Sequence, residues 1–166
     1  GGFDRRSRPG AGGGGVTAHA ITIRPMNAAD WAAFEPLWAG YLAFYKTELP
    51  EALSRLAFDR LIDPTRGDMG AVVAERDGAM VGFATFVLHP STWSEGPYCY
   101  LEDLYTAETA RGRGVARGLI EAVAAAGRDA GASKLYWQTH ATNATARALY
   151  DRVASHEGFI VYQRRL

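Results

Sequence analysis

Residues 110–118, Ala-Arg-Gly-Arg-Gly-Val-Ala-Arg-Gly, hold the most concentrated chemistry in the chain. Glycine lets the main chain come close to a ligand without a Cβ clash. A helix starting here would present N–H groups with no intrahelical partner, at its positive dipole end, and both features favour an anion. Arg111, Arg113 and Arg117 add positive charge, so the matching ligand is a phosphate or pyrophosphate. The plainer alternative is a tight strand-to-helix connection. No Lys-Ser or Lys-Thr follows the glycines, which excludes a P-loop, and the G-x-G-x-x-G pattern is missed by one spacer residue. Upstream lie two adjacent acids, Glu102 and Asp103. Strict strand alternation sends them to opposite faces, where they could be solvated or paired with arginine. Cys99 is the only cysteine and has no neighbouring histidine, so a buried structural role is expected over a nucleophile. His19, His89, His140 and His156 lack metal-ligand spacing, and no metal is expected.

These residues need elements to position them. Ala20 to Arg24 alternates as a strand that Pro25 ends. Asn27 caps a helix carrying Trp31, Phe34, Trp38, Leu42 and Tyr45 at helical spacing, with a kink or break expected at Pro36 and Gly40. A second helix is expected over 50–62, with Leu53, Leu56 and Leu61 on its apolar side. Residues 71–75 and 80–88 read as strands joined by an Asp77-Gly78 hairpin turn. A polar loop over 89–97 leads to a third long strand over 98–106. A helix follows over 113–130, with Val115, Leu119, Ile120 and Val123 on one face. Then come a strand over 134–140, a helix opened by Asn143 that runs to Val153, and a last strand over 159–163. The order β-α-α-β-β-β-α-β-α-β predicts an α/β protein with a mixed sheet.

Composition narrows the classes. The chain has 166 residues, 48% of them apolar, which suits one domain. Eighteen basic residues balance eighteen acidic ones, so no overall excess points to nucleic acid. One cysteine rules out an intrachain disulfide, and no apolar stretch reaches the roughly 20 residues that span a bilayer. Residues 1–18 are rich in glycine and arginine and read as a flexible tail or an expression remnant; residues 19–166 read as a single domain. A cytoplasmic protein with no membrane partner is expected.

Several segments together resemble one family, the GNAT N-acetyltransferase superfamily. Its signature [RQ]-x-x-G-x-[GA] reads Arg111-Gly112-Arg113-Gly114-Val115-Ala116 here. The strand Tyr100-Leu101-Glu102-Asp103-Leu104-Tyr105-Thr106 looks like that of the polyamine and histone/polyamine acetyltransferase-like branches. Ile23-Arg24-Pro25 with Ala28-Ala29-Asp30 resembles the family's opening, and Asn143 to Tyr150 its late N-x-x-A-x-x-L-Y helix. The resemblance covers residues 20–166 and implies a mostly antiparallel central sheet flanked by helices.

It also implies an acetyl-CoA-dependent N-acetyltransferase acting on a primary amine: a small amine, a polyamine or an amino-acid-like molecule. A non-catalytic acyl-CoA-binding domain and a protein N-acetyltransferase are the alternatives. Carried over by position, Arg111, Gly112, Arg113, Gly114, Val115, Ala116 and Arg117 would hold the coenzyme A pyrophosphate. Leu104, Tyr105 and Thr106 would pair with the pantetheine arm, and Asn143 would lie near it, or serve only as a helix cap. Tyr150 matches the family's proton donor, against a plain reading as a packed aromatic beside Leu149. Glu102 matches its base, and a bulge at this strand, common in the family, would change the faces of Glu102 and Asp103. Trp38, Tyr41, Phe44, Tyr45, Trp93, Trp137 and Asp103 are acceptor-site candidates, since aromatic faces attract ammonium groups; about half of the aromatics should be core. A loop longer than usual, Asp151 to Glu157, separates Tyr150 from Gly158-Phe159. A homodimer is expected, because related enzymes pair through C-terminal strands and Phe159-Ile160-Val161-Tyr162 needs cover.

Overall fold

A computed structural model describes residues 20–166. The tail expected over residues 1–18, and His19, lie outside the described residues. The elements run β1 (Thr22–Pro25), a 3-10 turn (Ala28–Asp30), α1 (Trp31–Phe44), α2 (Glu51–Ile62), β2 (Met69–Arg76), β3 (Ala79–His89), β4 (Tyr98–Thr106), a second 3-10 turn (Glu108–Ala110), α3 (Val115–Asp129), β5 (Lys134–Tyr136) and α4 (Ala144–Val153). The five strands form one sheet in sequence order. Strands β1 to β4 are antiparallel neighbours, and β5 joins β4 in parallel after the α3 crossover. The β2–β3 hairpin turns on Asp77 and Gly78, both at positive φ.

Period-2 alternation divides the apolar residues between two cores. Val72 and Ala74 face α3, whose Val115, Leu119, Ile120 and Val123 cover them. Ala71 and Val73 face the opposite way, onto Phe34, Trp38, Phe58 and Leu61 of α1 and α2. There Phe34 meets Phe83 edge-on at 5.0 Å and Phe58 at 5.6 Å.

Four sequence expectations need correcting. Helix α1 runs through Pro36 and Gly40 without a break. Pro36 is on the exposed side, and Gly40 admits the Tyr105 ring, which any Cβ would strike. In α2 the buried face is Ser54, Phe58 and Leu61, while Leu53 and Leu56 are exposed. Ser54 is there because it accepts a hydrogen bond from the Trp38 indole at 3.0 Å. Strand β5 stops at Tyr136 rather than reaching residue 140. The strand expected over 159–163 does not form: among the described residues no strand pairs with the segment, and Phe159 and Tyr162 are 86% and 87% exposed.

Candidate active site

The site grows from an irregularity in β4. Thr85 of β3 pairs with Asp103, but Phe86 pairs with Leu101, so Glu102 is an extra residue with no cross-strand partner. This bulge resets the alternation. Cys99, Leu101 and Leu104 pack toward α3, whereas Tyr105 packs toward α1. Strict alternation would have separated Glu102 from Asp103. Instead both act electrostatically on the Tyr41 hydroxyl of α1.

Asp103 is the inner acid. Its carboxylate accepts the Thr85 hydroxyl proton at 2.5 Å, and Thr85 Oγ1 in turn accepts from the Asp103 N–H at 3.2 Å. The Tyr41 hydroxyl donates to the same carboxylate. Burial raises the Asp103 pKa, and the two hydroxyl donors oppose that rise without cancelling it. Glu102 is exposed at the bulge, but partial desolvation and then the charge of Asp103 raise its pKa. Tyr45 and Tyr100 are raised chiefly by burial, and both also feel the Asp103 charge. Tyr100 is held from β5's side by Gln138, which donates to its hydroxyl at 2.6 Å.

Tyr150 stands on α4 with its ring edge-on to Trp137 at 5.4 Å. Burial raises its pKa, and the Tyr45 hydroxyl raises it further. Tyr150 therefore remains a phenol at neutral pH, within the electrostatic reach of Tyr45. Trp137 is half-buried behind it.

The parallel pairing of β4 with β5 ends at Tyr100–Tyr136. Beyond it, among the described residues, no strand lies along the outer edge of β4, so the edge through Leu104, Tyr105 and Thr106 is bonded to no strand on that side. An extended chain bearing amides can pair there. The Thr106 Oγ1 is buried with no partner. At the end of this edge Arg111 turns back, and its Nε donates to the Thr106 carbonyl at 3.2 Å.

The glycine-rich turn follows. Gly112 and Gly114 have φ of 71° and 81°, where a side chain is strained, and Gly114 occupies the N-cap of α3 with no side-chain cap. Nothing stands within 4 Å of where their Cβ atoms would be. Exposed Arg113 and Arg117 flank this open ground, while Val115 is buried in the core and Ala116 is half-buried. The uncapped amides, the two arginines and the open strand edge fit a ligand with a pyrophosphate at one end and an amide-bearing arm at the other. That is the shape of coenzyme A.

Asn143 caps α4, accepting from the Ala146 N–H at 3.3 Å. It also lines a cleft of about 360 Å³ with Phe44, Tyr45, Lys46, His140 and Thr142. Trp38 is buried in the aromatic core and does not reach the site. Trp93 is 89% exposed on its loop and is not brought to the acids by any ring contact among the described residues. Cys99 is fully buried, with its thiol pKa raised by burial, which removes it as a nucleophile. Among the described residues no group of three or more His, Cys, Asp or Glu could hold a metal ion. Sequence reasoning missed Thr85 and Lys46. The signal for Thr85 was one hydroxyl in the otherwise apolar run Val81 to Leu88.

Comparison with known proteins gives a consistent picture. The acetyltransferase (GNAT) family model matches residues 31–154. A D-amino-acid N-acetyltransferase of Saccharomyces cerevisiae is 34% identical over 145 residues, which is 87% of this chain and 90% of that protein. A ribosomal-protein-alanine N-acetyltransferase structure from Brucella melitensis superposes with a TM-score of 0.73 at 25% identity, covering 89% of this chain and 100% of that one. The aminoglycoside N-acetyltransferase AAC(6')-Iy, in complex with a bisubstrate analogue of CoA and acetylneamine, shares the fold with a TM-score of 0.78 at 20% identity, covering 89% and 99%.

Proposed function

This chain belongs to the GNAT acetyltransferase family, and we propose that it moves the acetyl group of acetyl-CoA onto the primary amine of a small molecule by direct attack on the thioester. It is an acetyl-CoA-dependent acetyltransferase. The observation that carries the choice of a cationic acceptor and direct attack is the acid pair: the bulge turns Glu102 and Asp103 toward one ring of tyrosines. The yeast relative's name adds an amino acid to the candidate acceptors. A polyamine acceptor has no support specific to it in these relatives.

Acetyl-CoA supplies a reactive acetyl thioester. Around it the residues divide the work. An alkylammonium has a pKa near 10 and no lone pair until it is deprotonated. Glu102, with its affinity for the proton increased by partial desolvation and by Asp103, takes that proton directly or through water. The amine nitrogen then bonds to the acetyl carbon as the carbon–sulfur bond breaks. The main-chain N–H groups beyond the β4 bulge are the donors for the thioester oxygen. Tyr150, kept protonated by burial, gives its proton to the departing sulfur, and the second proton that the nitrogen sheds on becoming an amide restores the Tyr150 phenol. Gly112 to Arg117 hold the pyrophosphate, Leu104 to Thr106 pair with the pantetheine arm, and Asn143 joins them while capping α4. Tyr45 and Trp137 line the acceptor side.

This reading carries with it a homodimeric state and a cytoplasmic location; no described helix is long and apolar enough to cross a membrane. Release of free thiol from acetyl-CoA, measured across amino acids, diamines, polyamines and an N-terminal peptide, tests it. Turnover on small amines is expected. Turnover on the peptide alone would give the function to protein tails, and no turnover on any amine would remove the reading.

A further inference from the structure

The lining of the cleft at the end of α1 bears on which amine it accepts. It is lined by Tyr45, whose ring lies 5.0 Å from that of Tyr41, the tyrosine that donates to Asp103. Lys46 and His140 line the same cleft, and no carboxylate is among its lining residues. No ion pair joins Lys46 to any carboxylate among the described residues. The position of Lys46 is set by the main chain. It has φ 52°, and the turn is closed by Lys46 N–H to the Ala43 carbonyl and Thr47 N–H to the Leu42 carbonyl, each at 3.0 Å. The lysine is thus delivered to the cleft wall by a fixed helix end rather than by a loose loop.

A lysine on the lining and acids behind its tyrosines match a dipolar ligand. An acceptor with ammonium groups at both ends would place one of them beside Lys46 and be repelled. A molecule with an ammonium at one end and a carboxylate at the other meets an opposite charge at each end. We propose that this cleft selects acceptors that carry a carboxylate on the same molecule as the reacting amine, amino acids rather than polyamines, and that Lys46 is the specificity-determining residue that binds the carboxylate. The proposal rests on acetyl transfer occurring at Glu102 and Asp103.

The test is a ratio. For the wild type, Lys46→Met and Lys46→Arg, kcat/KM is measured for an amino acid and for the amine made by removing its carboxylate, with a diamine and spermidine alongside. The wild type should prefer the amino acid. In Lys46→Met the ratio of amino acid to decarboxylated amine should fall about 10–100-fold, through KM and not kcat, as expected on losing a charge-assisted contact. Lys46→Arg should restore most of it. Stabilisation of Lys46→Met by acetyl-CoA, equal to that of the wild type, shows that the variant is folded. A wild type that turns over amines and polyamines but not amino acids overturns the proposal and leaves acetyl transfer standing. Equal losses on both substrates in Lys46→Met overturn it too. A wild type that acetylates no amine at all overturns both readings.

Discussion

Asp103 shows how the acid pair works and what it costs. Its carboxylate is held by Thr85 and Tyr41, yet burial keeps its pKa above the ordinary value. A carboxyl whose folded pKa is raised favours the fold when protonated, and that advantage is lost as pH rises through the folded value. Asp103 therefore weakens the fold at neutral pH. Asp103→Asn should raise the melting temperature at pH 7.5 relative to wild type, and this gain should shrink at pH 3.5, while turnover falls at both pH 7.5 and pH 9. An equal effect on melting at both acidities would show that its ionisation is not what costs stability. Glu102, also raised, should set the acid limb of the kcat/KM profile, so Glu102→Gln should flatten that limb and its defect should narrow toward pH 10, where about half of the amine is already neutral. Tyr150→Phe keeps the ring against Trp137 and removes only the hydroxyl. If the hydroxyl protonates the leaving sulfur, kcat should fall by about 10²–10⁴-fold with acetyl-CoA affinity little changed. Wild-type kcat in that variant would reduce Tyr150 to a packing residue.

Elements explain why some of this was legible in the sequence and some was not. Val115, Leu119, Ile120 and Val123 mark α3 by spacing alone, and the glycines before it need φ values of 71° and 81° that only glycine takes without strain. Such features are local, and local residues encode them. The bulge is not local: Glu102 becomes unpaired only when Thr85 opposes Asp103 and Phe86 opposes Leu101, a register set between two strands. Trp38 and Tyr45 share the helical stripe of α1, and spacing cannot tell that one turns into the core and the other toward the cleft. The open β4 edge likewise depends on where β5 stops. At this scale the glycine-rich turn gives its own prediction. Acetyl-CoA at a hundredfold excess over Kd should add about 2.7 kcal/mol, roughly 5–10 °C in melting temperature for a chain of this size. Gly114→Val has open space for its side chain but an unfavourable φ, so it should distort the turn, cost about 1–2 kcal/mol of stability or more, and abolish the acetyl-CoA shift. A full shift in that variant would move the pyrophosphate elsewhere.

For the whole molecule, the two cores are closed on each face of the sheet, but the C-terminal end is not closed. Phe159, Ile160, Val161 and Tyr162 are all exposed, and among the described residues no strand pairs with them. Strand β5 pairs with β4 over only three residues and presents a second edge to which no described strand is bonded. A contiguous apolar segment and an unpaired sheet edge in one molecule are each a liability in water, and each can cover the other's counterpart in a second copy. A pair of such contacts related by a twofold axis is isologous, so it closes without leading to fibres. Four residues alone bury too little, since stable interfaces remove about 1,200–2,000 Å² in total, so the pairing must also draw in the neighbouring surface. Light scattering at working concentration should give twice the mass of the chain. Ile160→Glu, which puts a charge into the proposed contact and touches no residue of the acid pair or the glycine-rich turn, should move the mass to that of one chain and expose the tyrosine fluorescence of Tyr162 to quenching. A wild-type monomer with full turnover would remove the dimer, and the exposed segment would then have to be covered by some other partner.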